Sequence, residues 1–266
     1  MDIINQIRYK ATLSKKKIVL CETEDIRTLK AAAFLADNGL ADVILVGSEK
    51  QIRQNASAES VKIPETVEFV KIEKNEKLEK YAALLYERRK HKGLDMEKAL
   101  EVASSPLFYT ALMVATGDAD GAVAGAVHTT GDVLRAAIQS IGLRPGSSIV
   151  SSVFLMSTMD GDILTYGDCA VVPYPDEQQL ATIAIDSAMT HKALTSEEPL
   201  VAMLSFSTLG SAQHERSQLV AEATQLAREQ QPDLKIDGEL QFDAAYVSSV
   251  ATSKAPNSPV AGKANV

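Results

Sequence analysis

Short runs of β-branched and aliphatic residues alternate along this chain with longer segments whose apolar residues recur at helical spacing. Residues 17–21 (KIVLC) and 41–47 (ADVILVG) have the first pattern. The segment between them places Ile26 and Leu29 on one helical face and ends near Gly39, a residue that suits a helix C-terminus. Such alternation indicates βα units around a largely parallel sheet. We therefore predict an α/β fold.

The first half of the chain continues the alternation up to a break at residues 143–148 (LRPGSS). Proline and glycine there interrupt the pattern before a new series of elements begins. We place a domain boundary at this point and predict a first α/β domain over 1–147 and a second over 148–266. The remaining elements predicted in the first domain are strands at 67–72 and 120–126 and helices at 77–93, near 95–116 and at 129–142.

The second half begins with a predicted β-hairpin, since 148–157 and 162–172 are strand-like and are separated by the turn-forming sequence TMDG. It ends in KANV, a sequence that looks like the start of a buried strand. Between these points the pattern predicts helices at 176–194, up to about 230 and at 242–251, and strands at 199–206 and 235–241.

Composition narrows the possible classes of protein. Of the 266 residues, 45% are hydrophobic and 23% charged, and no apolar run approaches the roughly 18 residues needed to span a bilayer. The N-terminal segment is not a secretory signal, so we expect a cytoplasmic location. A net charge of −8 argues against nucleic-acid binding. The two cysteines, Cys21 and Cys169, lie in separate strand-like runs and predict neither a disulfide nor a metal site.

Two loops have the composition of anion-binding sites. In the first, a predicted strand gives way to Ser207, Thr208, Gly210 and Ser211 before a helix. Backbone N–H groups and the positive end of a helix dipole meet at such a place. A phosphate site and a simple helix N-cap are equally compatible with this pattern.

The second loop contains His128, Thr129, Thr130 and Gly131, and Arg135 lies in the first turns of the helix that follows. Arginine suits a phosphate because it stays charged and presents a planar fork of donors. His128 could be a structural or a catalytic histidine, and Arg135 could instead form an exposed ion pair. Residues 88–92 (RRKHK) form a basic run at the end of a predicted helix. This run could be a solvated helix end, or one of its residues could contact a polyanionic ligand.

Several segments together resemble one family. AVHTTGDVLRAAIQSIG (126–142), MLSFSTLGSA (203–212), DGELQFDAA (237–245) and SKAPNSPVAGKANV (253–266) are similar, in order, to phosphate acetyltransferase, and YERRKHKG (86–93) fits as well. The resemblance implies reversible transfer of an acetyl group between CoA and inorganic phosphate. It also implies two α/β domains with a central cleft, as in isocitrate and isopropylmalate dehydrogenases, and a homodimer. CoA, acetyl phosphate and phosphate are then substrates, with no metal and no bound redox cofactor.

The resemblance also assigns roles to residues. Arg135 matches the family's active-site arginine, and Arg89 matches an arginine that binds CoA or phosphate. The other predicted substrate-binding residues are Thr130, Ser207, Thr208, Gly210 and Ser211, together with Lys254 and Lys263, which are placed by charge and loop position alone. CoA brings its own thiol, so no covalent nucleophile is expected.

Family members extend past the point that matches Val266, to a Ser-Arg pair and an aspartate that is the proposed base. Residues 1–266 do not include that segment. We therefore expect the 266-residue chain to have little activity by itself and to expose a sheet edge and apolar surface.

Three rival functions remain at this stage. Phosphate butyryltransferase is the nearest, since acyl length depends on a few pocket residues. A non-catalytic acetyl-CoA-sensing module, similar to the C-terminal domain of some malic enzymes, is the second. A decarboxylating dehydrogenase follows from fold analogy and would need metal-binding aspartates, for which Asp160, Asp162 and Asp168 are the candidates.

Overall fold

A computed structural model describes residues 2–266, apart from the side chain of Lys74. The chain divides into two compact units. Residues Arg8–Gly142 form one, called here the N-terminal unit. Leu143–Val266 and the residues up to Ile7 form the other, called the C-terminal unit. The division falls after Gly142, whereas the sequence pattern places the boundary after residue 147.

The N-terminal unit is built on a four-stranded sheet. Its strands are β1 (Lys16–Leu20), β2 (Ala41–Val46), β3 (Glu68–Val70) and β4 (Gly121–Val123), arranged in the order β3-β2-β1-β4. All three strand pairs are parallel. The predicted parallel α/β sheet is thus confirmed.

Helices connect these strands. They are α1 (Ile3–Leu13), which crosses the division between the units, α2 (Ile26–Asp37), α3 (Glu49–Ala58), α4 (Leu78–Arg89), α5 (Met96–Ala103), α6 (Pro106–Ala115) and α7 (Thr130–Ser140). The single helix predicted near 95–116 is in fact two, because Ser104 and Ser105 end one helix and Pro106 begins the next. Helix α3 has no counterpart among the predicted elements.

Two hydrophobic clusters cover the two faces of this sheet. Val43 and Leu45 of β2 belong to the cluster formed with α2 and α3. Ile44 and Val46, which alternate with them, belong to the cluster formed with α4 and α6. Because successive residues of a strand point to opposite faces, apolar residues at four consecutive positions indicate a strand buried on both sides.

The C-terminal unit begins with the hairpin of β5 (Val153–Ser157) and β6 (Ile163–Gly167), an antiparallel pair as predicted. Strands β7 (Leu200–Leu204) and β8 (Lys235–Leu240) form a parallel pair. The helices are α8 (Glu177–Thr195), α9 (Glu215–Gln230), α10 (Phe242–Tyr246) and α11 (Ser248–Lys254). The helix predicted at 242–251 is divided at Val247, whose backbone is extended.

The last residues lie between β6 and β7. Thr165 N donates to the carbonyl oxygen of Asn265 at 2.8 Å, and Asn265 N donates to the carbonyl oxygen of Leu200 at 3.1 Å. Ala202 N donates to the carbonyl oxygen of Val266 at 2.8 Å. Residues 265–266 thus bond to a strand on each side, which is the hydrogen-bonding environment of a central strand. This pairing resembles the strand predicted from KANV, but no strand is assigned at 263–266 and only Ala264 of the four residues is buried.

The part of the chain that the structure describes contains neither a membrane-spanning helix nor a metal-binding cluster. None of its helices is both long enough and apolar enough to traverse a bilayer. Within residues 2–266 no three His, Cys, Asp or Glu side chains are grouped so that they could hold a metal ion.

Candidate functional site

The N-terminus of α7 carries two of the predicted site residues, Thr130 and Arg135. Thr129 is the N-cap of the helix, and its hydroxyl accepts a hydrogen bond from Asp132 N at 3.2 Å. The backbone N–H groups of Thr130 and Gly131 have no acceptor among the described residues. Such groups, together with the helix dipole, favour an anion at this end of the helix.

Arg135 lies one turn further along α7. Its Nη1 donates to Asp132 Oδ1 at 2.8 Å, and both side chains are well exposed, Arg135 by 59%. The Thr129 hydroxyl and then Arg135 hold the pKa of Asp132 below its usual range. An exposed ion pair three residues apart on a helix is worth only a few tenths of a kcal/mol, on the order of 0.3. A phosphate group can therefore replace Asp132 as the partner of Arg135 at little cost.

The loop before α7 is organised by Glu22, which is only 2% exposed. Glu22 Oε2 accepts from Gly125 N at 2.9 Å and Ala126 N at 2.7 Å. Its Oε1 accepts from Val127 N at 3.0 Å, His128 N at 2.8 Å and His128 Nδ1 at 2.8 Å. Burial alone would raise the pKa of Glu22, but the hydrogen bonds from His128, Val127 and Ala126 lower it to about 2. The loop amides are thus bound internally and are not open to a ligand.

The basic run at the end of α4 separates into residues with different roles. Arg88 donates through Nη1 to the carbonyl oxygen of Ser140, at the C-terminal end of α7. Arg89 is half-buried, and no hydrogen bond or ion pair joins its guanidinium to any residue that the structure describes. Helices α4 and α7 pack against each other. Arg89 therefore remains available as a cation, and its contact with substrate remains a prediction.

The Ser/Thr loop after β7 differs from the sequence-based expectation. Ser207 and Thr208 are buried. Ser207 Oγ donates to Glu239 Oε1 at 3.0 Å and accepts from Ala212 N at 3.1 Å. Gly210 N donates to the same Glu239 oxygen at 2.7 Å. The Ser207 hydroxyl and the Gly210 amide are therefore engaged within the protein, as the loop amides around Glu22 are.

Of the four predicted residues of this loop, Gly210 and Ser211 are exposed. Gly210 has φ +82°, a left-handed conformation that favours glycine. Ser211 Oγ accepts from Thr208 N at 3.0 Å. Helix α9 begins only at Glu215, with His214 as its N-cap. Three residues, 212–214, therefore separate Ser211 from the first residue of α9, and the N-cap role falls to His214 rather than to a serine of this loop.

Gln241 joins this loop to one of the two predicted lysines. Gln241 N donates to Thr208 Oγ1 at 3.0 Å. Lys254 Nζ donates to Gln241 Oε1 and to Asp243 Oδ2, both at 2.9 Å. Lys254 is thus one side chain away from the Ser/Thr loop. Lys263 is exposed, and its ammonium has no partner within residues 2–266 as described.

Two of the three aspartates considered as metal ligands, Asp168 and Asp162, have other partners. Asp168 accepts from Val171 N at 2.9 Å, Val172 N at 2.8 Å and Ser152 Oγ at 2.7 Å. Asp162 accepts from Tyr246 OH at 2.7 Å. Sequence reasoning identified no role for Glu22 or Glu239. The signal for Glu22 was an acidic residue close to the end of an apolar strand, whereas Glu239 lies in a strand that also contains Lys235 and Asp237 and gave no such signal.

The fold and these loops define a class of α/β protein. Its loops at strand ends fold around buried carboxylates, and the N-terminal part of one helix carries an arginine and is suited to binding an anion. Comparison with known proteins identifies the family. The model of the family described as phosphate acetyl/butaryl transferase matches residues 2–266. The chain belongs to this family, and the resemblance inferred from the sequence is confirmed.

Individual relatives agree with this assignment. The phosphate acetyltransferase of Thermoanaerobacterium thermosaccharolyticum is 47% identical over 271 residues, covering 100% of this chain and 82% of the relative. EutD phosphotransacetylase from Staphylococcus aureus has a similar structure, with a TM-score of 0.91, 38% identity and coverage of 99% of this chain and 80% of that one. A branched-chain phosphotransacylase from Enterococcus faecalis V583, 15% identical with a TM-score of 0.58 over 94% of this chain and 77% of that one, shares the fold.

Proposed function

We propose that this protein is a phosphate acetyltransferase, which interconverts acetyl-CoA and phosphate with acetyl phosphate and CoA. Two relatives with 45–47% identity that span the full chain carry that name. The observation in the structure that best supports the proposal is the start of α7, where the unpaired amides of Thr130 and Gly131 lie one turn from the exchangeable guanidinium of Arg135.

In this proposal the phosphoryl group lies at the N-terminus of α7. Arg135 and the helix amides would neutralise its charge, which leaves the carbonyl carbon of acetyl phosphate more open to attack. The attacking group is the thiolate of CoA, so the protein has to orient two bound substrates rather than supply a nucleophile. Arg89 is assigned to CoA or phosphate by the family resemblance, and Lys254 and Lys263 are assigned to substrate binding by charge and loop position.

The test is formation of acetyl-CoA from acetyl phosphate and CoA, followed by absorbance of the thioester. Binding of CoA and of inorganic phosphate is measured separately by calorimetry, because the sequence resemblance places the proposed base outside residues 1–266. Saturable binding of both ligands, with any turnover abolished in Arg135→Ala, would support the proposal. Absence of both binding and turnover in a correctly folded chain would refute it.

A second candidate is phosphate butyryltransferase, because the matching family model covers acetyl and butyryl transfer alike. Competition between acetyl phosphate and butyryl phosphate for one enzyme sample separates the two functions. Preference for acetyl phosphate is expected, in agreement with the names of the relatives. The homodimer, the cytoplasmic location and the central cleft resembling that of isocitrate and isopropylmalate dehydrogenases belong to the same proposal, and sedimentation velocity would test the first of them.

A further inference from the structure

Glu22 has no place in the proposed reaction, yet its carboxylate is the most heavily engaged acceptor near α7. We infer that Glu22 is a positioning residue, which fixes residues 125–128 and thereby the N-terminus of α7 that presents Thr130 and Arg135. This inference rests on the proposed function for its consequence in catalysis. Its structural part stands on the contacts of Glu22 alone.

The geometry requires a charged carboxylate rather than any polar side chain. Both oxygens are used, with two donors on Oε2 and three on Oε1. A glutamine has one acceptor oxygen, and its amide nitrogen can only donate. In either orientation Glu22→Gln would therefore set an NH₂ group against at least two N–H donors. These donors are partly buried and have no other acceptor in the described chain.

The loop connects directly to the proposed phosphate site. Only residues 124–129 separate the end of β4 from the first residue of α7, and His128 is next to the N-cap. A second contact reinforces the loop, because Arg27 Nη2 donates to the carbonyl oxygen of Ala126 at 2.6 Å. The far end of α7 is held by Arg88 at Ser140. Displacement of residues 125–128 would thus move the start of α7 relative to its anchored end.

The same carboxylate also fixes the tautomer of His128. An ionised Glu22 can only accept, so His128 Nδ1 must carry the proton of their 2.8 Å hydrogen bond. In the neutral ring, Nε2 then has the lone pair. The side chain is 32% exposed, and Nε2 has no partner among the residues that the structure describes. Glu22 thereby fixes which nitrogen of the neutral ring faces outward next to the N-terminus of α7.

The experiment compares Glu22→Gln with Glu22→Asp and with Glu24→Gln in the 266-residue chain. Glu24 is exposed and two residues away, so its variant is the matched control. Amide hydrogen exchange reports the order of residues 125–128, and long-range ¹H–¹⁵N spectra report the His128 tautomer. Calorimetry with inorganic phosphate reports the site on α7.

In Glu22→Gln we expect exchange at 125–128 to accelerate at least about 10-fold, while the amides of β2 stay protected. We also expect a mixture of His128 tautomers and an approximately 10-fold loss of phosphate affinity. Glu22→Asp keeps the charge but is one methylene shorter, so it should restore part of each effect. Glu24→Gln should match the wild type in all three readouts.

Unchanged exchange and an unchanged tautomer in Glu22→Gln would overturn the inference. So would wild-type phosphate affinity in a variant whose loop is demonstrably disordered. Failure of the proposed function would give a different result. The wild type itself would then bind no phosphate, while amide exchange at 125–128 and the His128 tautomer would still change in Glu22→Gln. If Glu22→Gln does not fold, Glu22→Asp provides the same three readouts and the same decision.

Discussion

The rings of Tyr81 and Tyr109 meet edge to face in the core of the N-terminal unit, with their centroids 5.0 Å apart. Both side chains are fully buried. Tyr81 OH donates to Asp118 Oδ2 at 2.6 Å, whereas Tyr109 OH has no hydrogen-bond partner in the described structure. The hydrogen bond to Asp118 offsets the free-energy cost of burying the Tyr81 hydroxyl. No hydrogen bond offsets the same cost for the Tyr109 hydroxyl.

This difference predicts different changes in stability for two matched substitutions. Tyr81→Phe should lower the free energy of unfolding by about 1–2 kcal/mol, since one hydrogen bond to a charged group is lost while Asp118 keeps its bonds to Lys77 and Thr116. Tyr109→Phe should leave stability unchanged or raise it, because no bond is lost. Urea unfolding of the two variants measures both values. An equal loss in both would mean that the Tyr109 hydroxyl has a partner.

The elements of this fold could be predicted largely from the sequence because hydrophobic period reports burial. The consecutive apolar residues of β2 required a strand covered on both faces, and the two clusters of the N-terminal unit provide that cover. Local breaks were harder to predict. Ser104, Ser105 and Pro106 marked a break that the single helix predicted near 95–116 passed over, and the extended backbone at Val247 has no signal in composition.

The site could be predicted only in part, because sequence gives the donors of a loop but not their acceptors. Ser207 and the glycine amide of Gly210 have the composition of a phosphate cradle, yet both donate to Glu239, more than two dozen residues away along the chain. The same holds for residues 125–128 and Glu22. Arg135 and Arg89 remain candidates because neither is committed to a buried partner.

Arg135 should affect phosphate binding without affecting stability. Arg135→Ala removes a side chain that is 59% exposed and has one i,i+3 partner, so the free energy of unfolding should change by less than about 0.5 kcal/mol. Loss of a hydrogen bond to a charged phosphate should weaken binding by about 10- to 150-fold, or about 1.5–3 kcal/mol. Calorimetry with inorganic phosphate and urea unfolding measure the two effects.

A matched control exists in the same unit. Lys98 is exposed on α5 and forms an i,i+3 ion pair with Glu101. Lys98→Ala should therefore change stability as little as Arg135→Ala does, with phosphate affinity unaltered. Equal phosphate affinity in the two variants would remove Arg135 from the proposed site.

The low pKa of Glu22 predicts how the free energy of unfolding changes in acid. Its value in the folded protein is about 2, against about 4.3 in an unfolded chain, so the unfolded state binds the proton first as the pH falls. The contribution of Glu22, roughly 2–4 kcal/mol, is then fully present above about pH 5 and is lost as the pH approaches 2. Glu22→Gln has no such group.

The difference in unfolding free energy between wild type and Glu22→Gln should therefore shrink as the pH is lowered from 6 toward about 2.5. Asp118 and Asp168 also have a pKa of about 2, but they titrate in both proteins and cancel in the difference. Chemical unfolding at a series of pH values measures the effect. A difference independent of pH would show that Glu22 is not held as a carboxylate of depressed pKa.

Ser207 is the residue for which structure and sequence resemblance give different predictions. As a substrate-binding residue, Ser207 would change substrate affinity in Ser207→Ala and leave stability almost unaltered. The structure instead buries its hydroxyl between Glu239 Oε1 and Ala212 N. Alanine leaves the Ala212 amide without an acceptor, so we expect the free energy of unfolding to fall by about 1.5–3 kcal/mol.

Ser205 provides the control because it precedes the same loop, and its side chain makes no hydrogen bond within the described residues. Its backbone N–H donates to the carbonyl oxygen of Leu240, a contact that alanine retains. Ser205→Ala should therefore change stability by less than about 0.5 kcal/mol. Unfolding and phosphate titration of both variants decide the role of Ser207. A stable Ser207→Ala with weakened phosphate binding would restore it to the substrate site, whereas a destabilised variant with wild-type affinity would establish it as a support of the loop.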